Sequence, residues 1–243
     1  AALAERLAVP YLGATPWPDD DVIPAAAVPV HACAIGYIQF IDMPVLAELC
    51  DEVDCEAYFP CNPGTFVFED TVLAWLLAPH ELPEDFAERV AKHFVIATTR
   101  SFDQDPRFGL AVMAEIACRA MSPAINDPGT AIDVVGRQAR LLSQWAAGRE
   151  DVAVDYPRLH LPPLRDDDLF EDAFMLLARD GAGLVEVQLR LQKALKALQR
   201  QGSLSFRRAA AAQSELALQR SETALTCEVD RQRLRALASE PSV

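Results

Sequence analysis

The sequence predicts an α+β protein: a helix and acidic linker over 1–23, a small β-rich, barrel-like subdomain over 24–80, and a larger all-helical domain over 81–243. Three observations predict it. From Val28 to about Leu77 the chain is built of short β-branched and aromatic runs punctuated by turn residues, which is the pattern of strands. After Pro79 the apolar residues recur at helical spacing and keep doing so to the C-terminus. The length of 243 residues, with 51% hydrophobic and 24% charged residues, suits one large or two small folded domains and excludes a disordered chain, a collagen or a disulfide mini-scaffold.

The elements follow in order. Residues 1–9 are helix-prone, and Pro10, Pro16, Pro18 and the run Asp19-Asp20-Asp21 read as a linker. The segment 28–42 is strand, Pro44 opens a short helix over 45–53, and 56–61, 65–70 and 72–77 are further strands, two of them parted by the turn Asn62-Pro63-Gly64. Tyr37, Phe40, Phe59, Phe66 and Phe68 are expected to face the core of a half-buried sheet. An amphipathic helix is expected over Glu81–Ile96, a second over Arg107–Met121, and a third from Asp127-Pro128 to about Gly148. A proline-rich connection, 155–163, leads into a helical C-terminal half. There Leu184, Val187, Leu191, Leu195 and Leu198 alternate at the 3-4 spacing of a packing seam, flanked by Arg190, Lys193, Lys196, Arg200, Arg207 and Arg208.

The charge narrows the partners. Twenty-two Lys and Arg against 36 Asp and Glu give a net charge of −14, which argues against nucleic acid and anionic membrane surfaces. The excess is lopsided: residues 1–85 hold 15 acids and the single base Arg6, while the remainder holds 21 of each. Six cysteines show no CxxC spacing and no paired histidines on a helix face, so they read as free thiols of a reducing compartment, with Cys55 and Cys61 close in sequence. No uncharged apolar run reaches the ~18 residues of a membrane span. The chain begins without Met or a signal-peptide pattern and reads as a processed or partial chain. No nucleotide-binding glycine motif is present, and no cofactor or resident metal is expected.

The chemistry-bearing residues concentrate between Thr98 and Asp133. Two polar loops, Arg100-Ser101-Phe102-Asp103-Gln104-Asp105 and Ser122-Pro123-Ala124-Ile125-Asn126-Asp127, bracket one helix, at opposite ends of it. Each ends in Asp-Pro, an acid at an N-cap followed by proline at the first helical position. Capping therefore accounts for Asp105 and Asp127, and an Arg119 pair with Asp127 is easy to build. The interface or ligand candidates are Arg100, Asp103, Gln104, Asp105, Arg119, Ser122, Asn126, Asp127 and Thr130. The alternative is a metal-assisted hydrolase using the oxygen donors of Asp103, Asp105, Asn126 and Asp127. Against it, no motif supplies a nucleophile with a positioned base, so the catalytic residues are unassigned.

Two resemblances sharpen this. The order of strand, Gly36-Tyr37-Ile38, Ile41-Asp42, short helix, strand, Pro63-Gly64 and Val72-Leu73-Ala74 resembles the half-motifs of barrel-sandwich hybrid domains related to biotinyl and lipoyl carriers. Residues 1–91 contain no Lys to carry such a group. The strings RSFDQDPRFGL (100–110) and AMSPAINDPGTA (120–131), with GYIQFID (36–42) and PGTFV (63–67), closely resemble the signature of bacterial predicted membrane proteins catalogued as domain of unknown function 2254, over roughly 28–205. The chain departs from that pattern at Ala124 and Thr65, neither a charged position. The resemblance implies transmembrane helices elsewhere in the protein as partners, with this region as the extramembrane part of an inner-membrane protein. It carries no established activity. The expected function is self-association into a homo-oligomer, with sensing or gating, on the cytoplasmic side.

Overall fold

The computed structural model describes residues 11–17, 23–148 and 153–239. The expected helix over 1–9 and the run Asp19–Asp21 lie outside the described residues. The α+β class holds, with a strand-rich N-terminal region and a helical C-terminal part, but the strands form two open sheets and no closed barrel. The chain divides into two compact units, Ala1–Phe108 with Glu150–Leu164, and Gly109–Arg149 with Arg165–Val243.

The first unit holds eight strands among its described residues: β1 (Ala14–Pro16), β2 (Val28–His31), β3 (Gly36–Ile41), β4 (Glu56–Tyr58), β5 (Phe66–Val67), β6 (Val72–Leu77), β7 (Phe94–Ala97) and β8 (Tyr156–Leu161). Five of them form a mixed sheet in the order β1-β8-β4-β6-β2, and three an antiparallel sheet in the order β5-β3-β7. Helix α1 (Met43–Glu52) and the short α2 (Phe86–Ala91) complete the unit. Met43, Leu46, Leu49 and Cys50 recur on one face of α1 and are buried with Ile38, Ile41, Phe59 and Leu73, the spacing that puts them on one helical stripe.

Three differences from the sequence reading have physical causes. The helix expected over Glu81–Ile96 forms only at Phe86–Ala91, because the β-branched run that follows pairs with β3, Phe94 opposite Ile41. The proline-rich connection contains a strand, Tyr156–Leu161, with Pro157 near its start and Pro162 and Pro163 beyond its end, and β8 joins β1 and β4 in parallel. Phe59 is in the core, but Phe40, Phe66 and Phe68 are exposed, Phe68 at 55%. They lie with Val95 on the outward side of the three-stranded sheet, where Tyr37 meets Phe66 edge-on at 4.9 Å and Phe66 meets Phe68 at 5.3 Å.

The second unit is helical. It takes in α3 (Pro106–Met121) from Gly109 onward, then α4 (Pro128–Ala147), α5 (Asp166–Asp180), α6 (Val185–Leu198), α7 (Leu204–Ala224) and α8 (Glu228–Ser239). The seam read from sequence is buried within the unit: Val187, Leu191, Leu195 and Leu198 of α6 are inaccessible, and α6 packs against α4, α7 and α8. Buried polar groups cross-link the helices. Trp145 Nε1 donates to Asp166 Oδ1 at 2.9 Å, Gln192 Nε2 to the Ser214 carbonyl at 2.9 Å, and Ser214 Oγ back to Gln192 Oε1 at 2.6 Å.

Candidate functional site

The first loop sits in the first unit, where Asp105 is turned inward with Arg100 against it. Asp105 is 1% exposed. Its Oδ1 accepts the Phe108 N–H at 3.0 Å, the N-cap bond expected of an acid before Pro106, and its Oδ2 accepts Nε and Nη2 of Arg100 at 2.7 Å each. Burial pushes the Asp105 carboxyl up, against the pull of the Phe108 N–H and of Arg100. The guanidinium lies 4.9 Å from the centre of the Phe108 ring, and Phe102 stacks on the same ring at 4.5 Å, so Arg100 is held by a carboxylate and an aromatic face together.

The turn Asn62-Pro63-Gly64 closes on this pair. Gly64 has φ +93°, and a Cβ there would stand 2.1 Å from Asp105 Oδ2 and 3.1 Å from Arg100 Nη2, so only glycine lets the turn approach the ion pair. Gln104 reaches the other way. Its Oε1 accepts the Ile41 N–H at 2.7 Å and its Nε2 donates to the Ile41 carbonyl at 2.9 Å, so the side-chain amide pairs with the end of β3 as a neighbouring strand would. Tyr11 Oη donates to the Gln104 carbonyl at 2.5 Å, and burial, then Asp105, raise its phenol above the ordinary range. Sequence reasoning missed Tyr11 and Gly64; the dipeptide Pro63-Gly64 was the readable signal for the second, and nothing local marks the first. Asp103 faces solvent and, among the described residues, is engaged only with Ser101, whose Oγ donates to Asp103 Oδ2 at 2.6 Å and accepts the Asp103 N–H at 3.1 Å.

The second loop sits in the second unit and is turned outward. Residues 123–127 are all exposed, with Ile125 at 60%. The backbone is tied to the end of α3: the Asn126 N–H donates to the Ser122 carbonyl at 2.8 Å, the Asp127 N–H to the Ala120 carbonyl at 2.8 Å, and Ser122 Oγ to the Arg119 carbonyl at 2.7 Å. Asn126 has φ +50°, a conformation asparagine tolerates better than most residues. Asp127 caps α4, accepting the Thr130 N–H on Oδ1 at 3.1 Å and the Thr130 hydroxyl on Oδ2 at 2.6 Å. Those two bonds hold its carboxyl below the usual range. Arg119 contributes its carbonyl only; among the described residues no Arg119–Asp127 ion pair forms.

The site residues therefore fall into two groups, Arg100, Asp103, Gln104 and Asp105 in one unit and Arg119, Ser122, Asn126, Asp127 and Thr130 in the other. The carboxylates considered as metal donors are engaged as caps, as an ion-pair partner or with a neighbouring serine. Among the described residues no three His, Cys, Asp or Glu side chains are placed to hold a metal ion. No helix among the described residues is long and apolar enough to cross a membrane.

Residues 6–197 match a family described as "Predicted membrane protein (DUF2254)". Uncharacterized proteins of Mycobacterium bovis and Mycobacterium tuberculosis are each 41% identical over 116 residues, a stretch that makes up 46% of this chain and 22% of either relative. The aligned part is thus about a fifth of the length of those relatives. No solved structure matches the chain.

Proposed function

The chain belongs to the predicted membrane protein family of unknown function numbered 2254, and from that premise we propose that it is an extramembrane part of a multi-pass membrane protein whose task is self-association, coupled to sensing or gating. One observation carries the reading. The second family signature is spent on a loop in which every residue from Pro123 to Asp127 is exposed and whose largest apolar side chain, Ile125, is 60% exposed. A loop of this kind gives its own fold only a helix cap. An apolar residue held at that height by Asn126 and the Asp127–Thr130 cap suits contact with a second copy.

Placement in the cell membrane with this region on the cytoplasmic side is part of the proposal. All six cysteines are free thiols, which suits a reducing compartment. Light scattering of the chain at micromolar concentration tests the reading. The expected result is a species larger than a monomer that Ile125→Asp converts to monomer with an unchanged far-UV circular dichroism spectrum. A wild-type chain that is monomeric throughout overturns the self-association reading.

A further inference from the structure

Cys50 lies in the last turn of α1 and Cys55 immediately precedes β4, with the four residues Asp51-Glu52-Val53-Asp54 between them. The turn is tight: the Cys55 N–H donates to the Cys50 carbonyl at 2.9 Å, and Asp54 takes φ +49° to bring the chain back. Both cysteines are inaccessible to solvent, and the Cys55 thiol donates to the Glu56 carbonyl at 3.3 Å. Disulfides join residues whose α-carbons stand about 5–6 Å apart, a separation natural to two residues whose backbones share one hydrogen bond across a turn. From the opposite strand, Arg158 binds Asp51 at 2.9 Å, Asp54 at 2.6 Å and Glu56 at 3.6 Å. A guanidinium therefore straddles the turn that links the two sulfurs. The other four cysteines lack this arrangement: Cys33 and Cys227 are exposed, Cys61 Sγ donates to the Val72 carbonyl at 4.0 Å, and Cys118 lies within α3, far in sequence from any other cysteine.

We propose that Cys50 and Cys55 are a reversible dithiol that a small hydroperoxide closes to a disulfide, fastening the end of α1 to β4. The roles of the two sulfurs differ. The neighbouring Cys50 thiol, with contributions from the Leu77 backbone and Arg158, holds the Cys55 thiol below its usual range, and Cys55 together with burial pushes Cys50 up. Cys55 is the attacking thiolate. Its sulfur takes an oxygen from the peroxide as the O–O bond breaks, giving a sulfenic acid, and the departing hydroxide or alkoxide picks up a proton. The Cys50 sulfur then attacks Cys55, the S–O bond breaks, and hydroxide leaves as water with the Cys50 proton. Two thiols are oxidised to one disulfide and one peroxide is reduced. Zero exposure restricts the oxidant to a small molecule admitted by local opening of the turn.

Peptide mapping of the full chain tests the proposal. Hydrogen peroxide is added in equimolar amount, free thiols are alkylated, and the chain is cut without reduction by a protease specific for acidic residues, which separates Cys50 from Cys55 at Asp51, Glu52 and Asp54. The expected product is a peptide pair linked through Cys50 and Cys55, with alkylatable thiols falling from the six of the sequence to four, reversed by dithiothreitol. In Cys50→Ser, Cys55 stops at the sulfenic acid and is trapped by dimedone. If Cys50 and Cys55 stay fully alkylated while Cys33 or Cys227 is oxidised, or if either pairs with another cysteine, the proposal is overturned. The wild-type map decides this even if a serine variant fails to fold.

Discussion

Asp105 and Asp127 occupy the same local grammar, an acid before a proline at a helix start, yet their surroundings drive them in opposite directions. Asp105 is buried against Arg100 and Gly64 and its carboxyl is raised, with desolvation outweighing its partners. Asp127 is fully exposed, and the Thr130 hydroxyl and N–H lower it. The signs for stability follow by linkage. A raised carboxyl favours the fold below its ordinary value, and that contribution is lost as pH rises through the folded value. A lowered one favours the fold above the ordinary value and loses that contribution as pH falls through the folded value. Carbon-detected NMR titration of the carboxyls is therefore expected to place Asp127 below the ordinary aspartate value of about 3.9. Thr130→Ala, which removes the hydroxyl donor, is expected to move Asp127 upward, whereas Thr130→Ser is expected to leave it low. An Asp127 midpoint identical in all three chains would mean that the Thr130 hydroxyl is not what holds the carboxylate.

At the scale of elements, Gln104 shows how a family signature can be structural. Its amide closes the end of β3 by satisfying both the N–H and the carbonyl of Ile41, groups that would otherwise be buried without partners. Gln104→Ala is expected to cost about 1–3 kcal/mol in denaturant unfolding and to speed hydrogen exchange at the Ile41 amide. Unchanged exchange there would show that the strand end is held by other means. Much of this level was legible in the sequence: α1, α3, α4 and the α6 seam follow from apolar spacing and from Asp-Pro starts that act locally. The errors lie where a distant partner decides. Phe94–Ala97 reads as the end of a helix until Phe94 finds Ile41, and 155–163 reads as a connection until Leu159 finds Ala57. The aromatic residues of β3 and β5 carry the right period, but period cannot say which face is covered, and Phe40, Phe66 and Phe68 face out. For the site, Asp-Pro capping was readable in both loops. The inward turn of the first depends on Gly64, Ile41 and Tyr11, which sequence spacing does not bring near.

For the whole molecule the charge of −14 sets a condition on self-association. Two copies repel at long range unless contact brings unlike regions together. The asymmetry supplies unlike regions: the first 85 residues carry the entire net charge, whereas on the helical unit Arg137, Arg140 and Arg190 line one groove with Ile132, Asp133 and Gly136. Among the described residues, only Arg137 of the three is tied to a carboxylate there, Asp133 at 2.6 Å. An association that includes acidic-to-basic contact weakens as salt shortens the Debye length from about 10 Å at 0.1 M to about 3 Å at 1 M. One that rests on Ile125 alone is indifferent to that change or strengthened by it. Sedimentation equilibrium at rising sodium chloride is expected to show weaker association, with Arg140→Glu and Arg190→Glu together weakening it at low salt and flattening the salt dependence. Ile125→Asp is expected to weaken association at every salt concentration. If the wild-type chain associates more tightly as salt rises, like-charge repulsion dominates the encounter, and the basic groove is then not part of the interface.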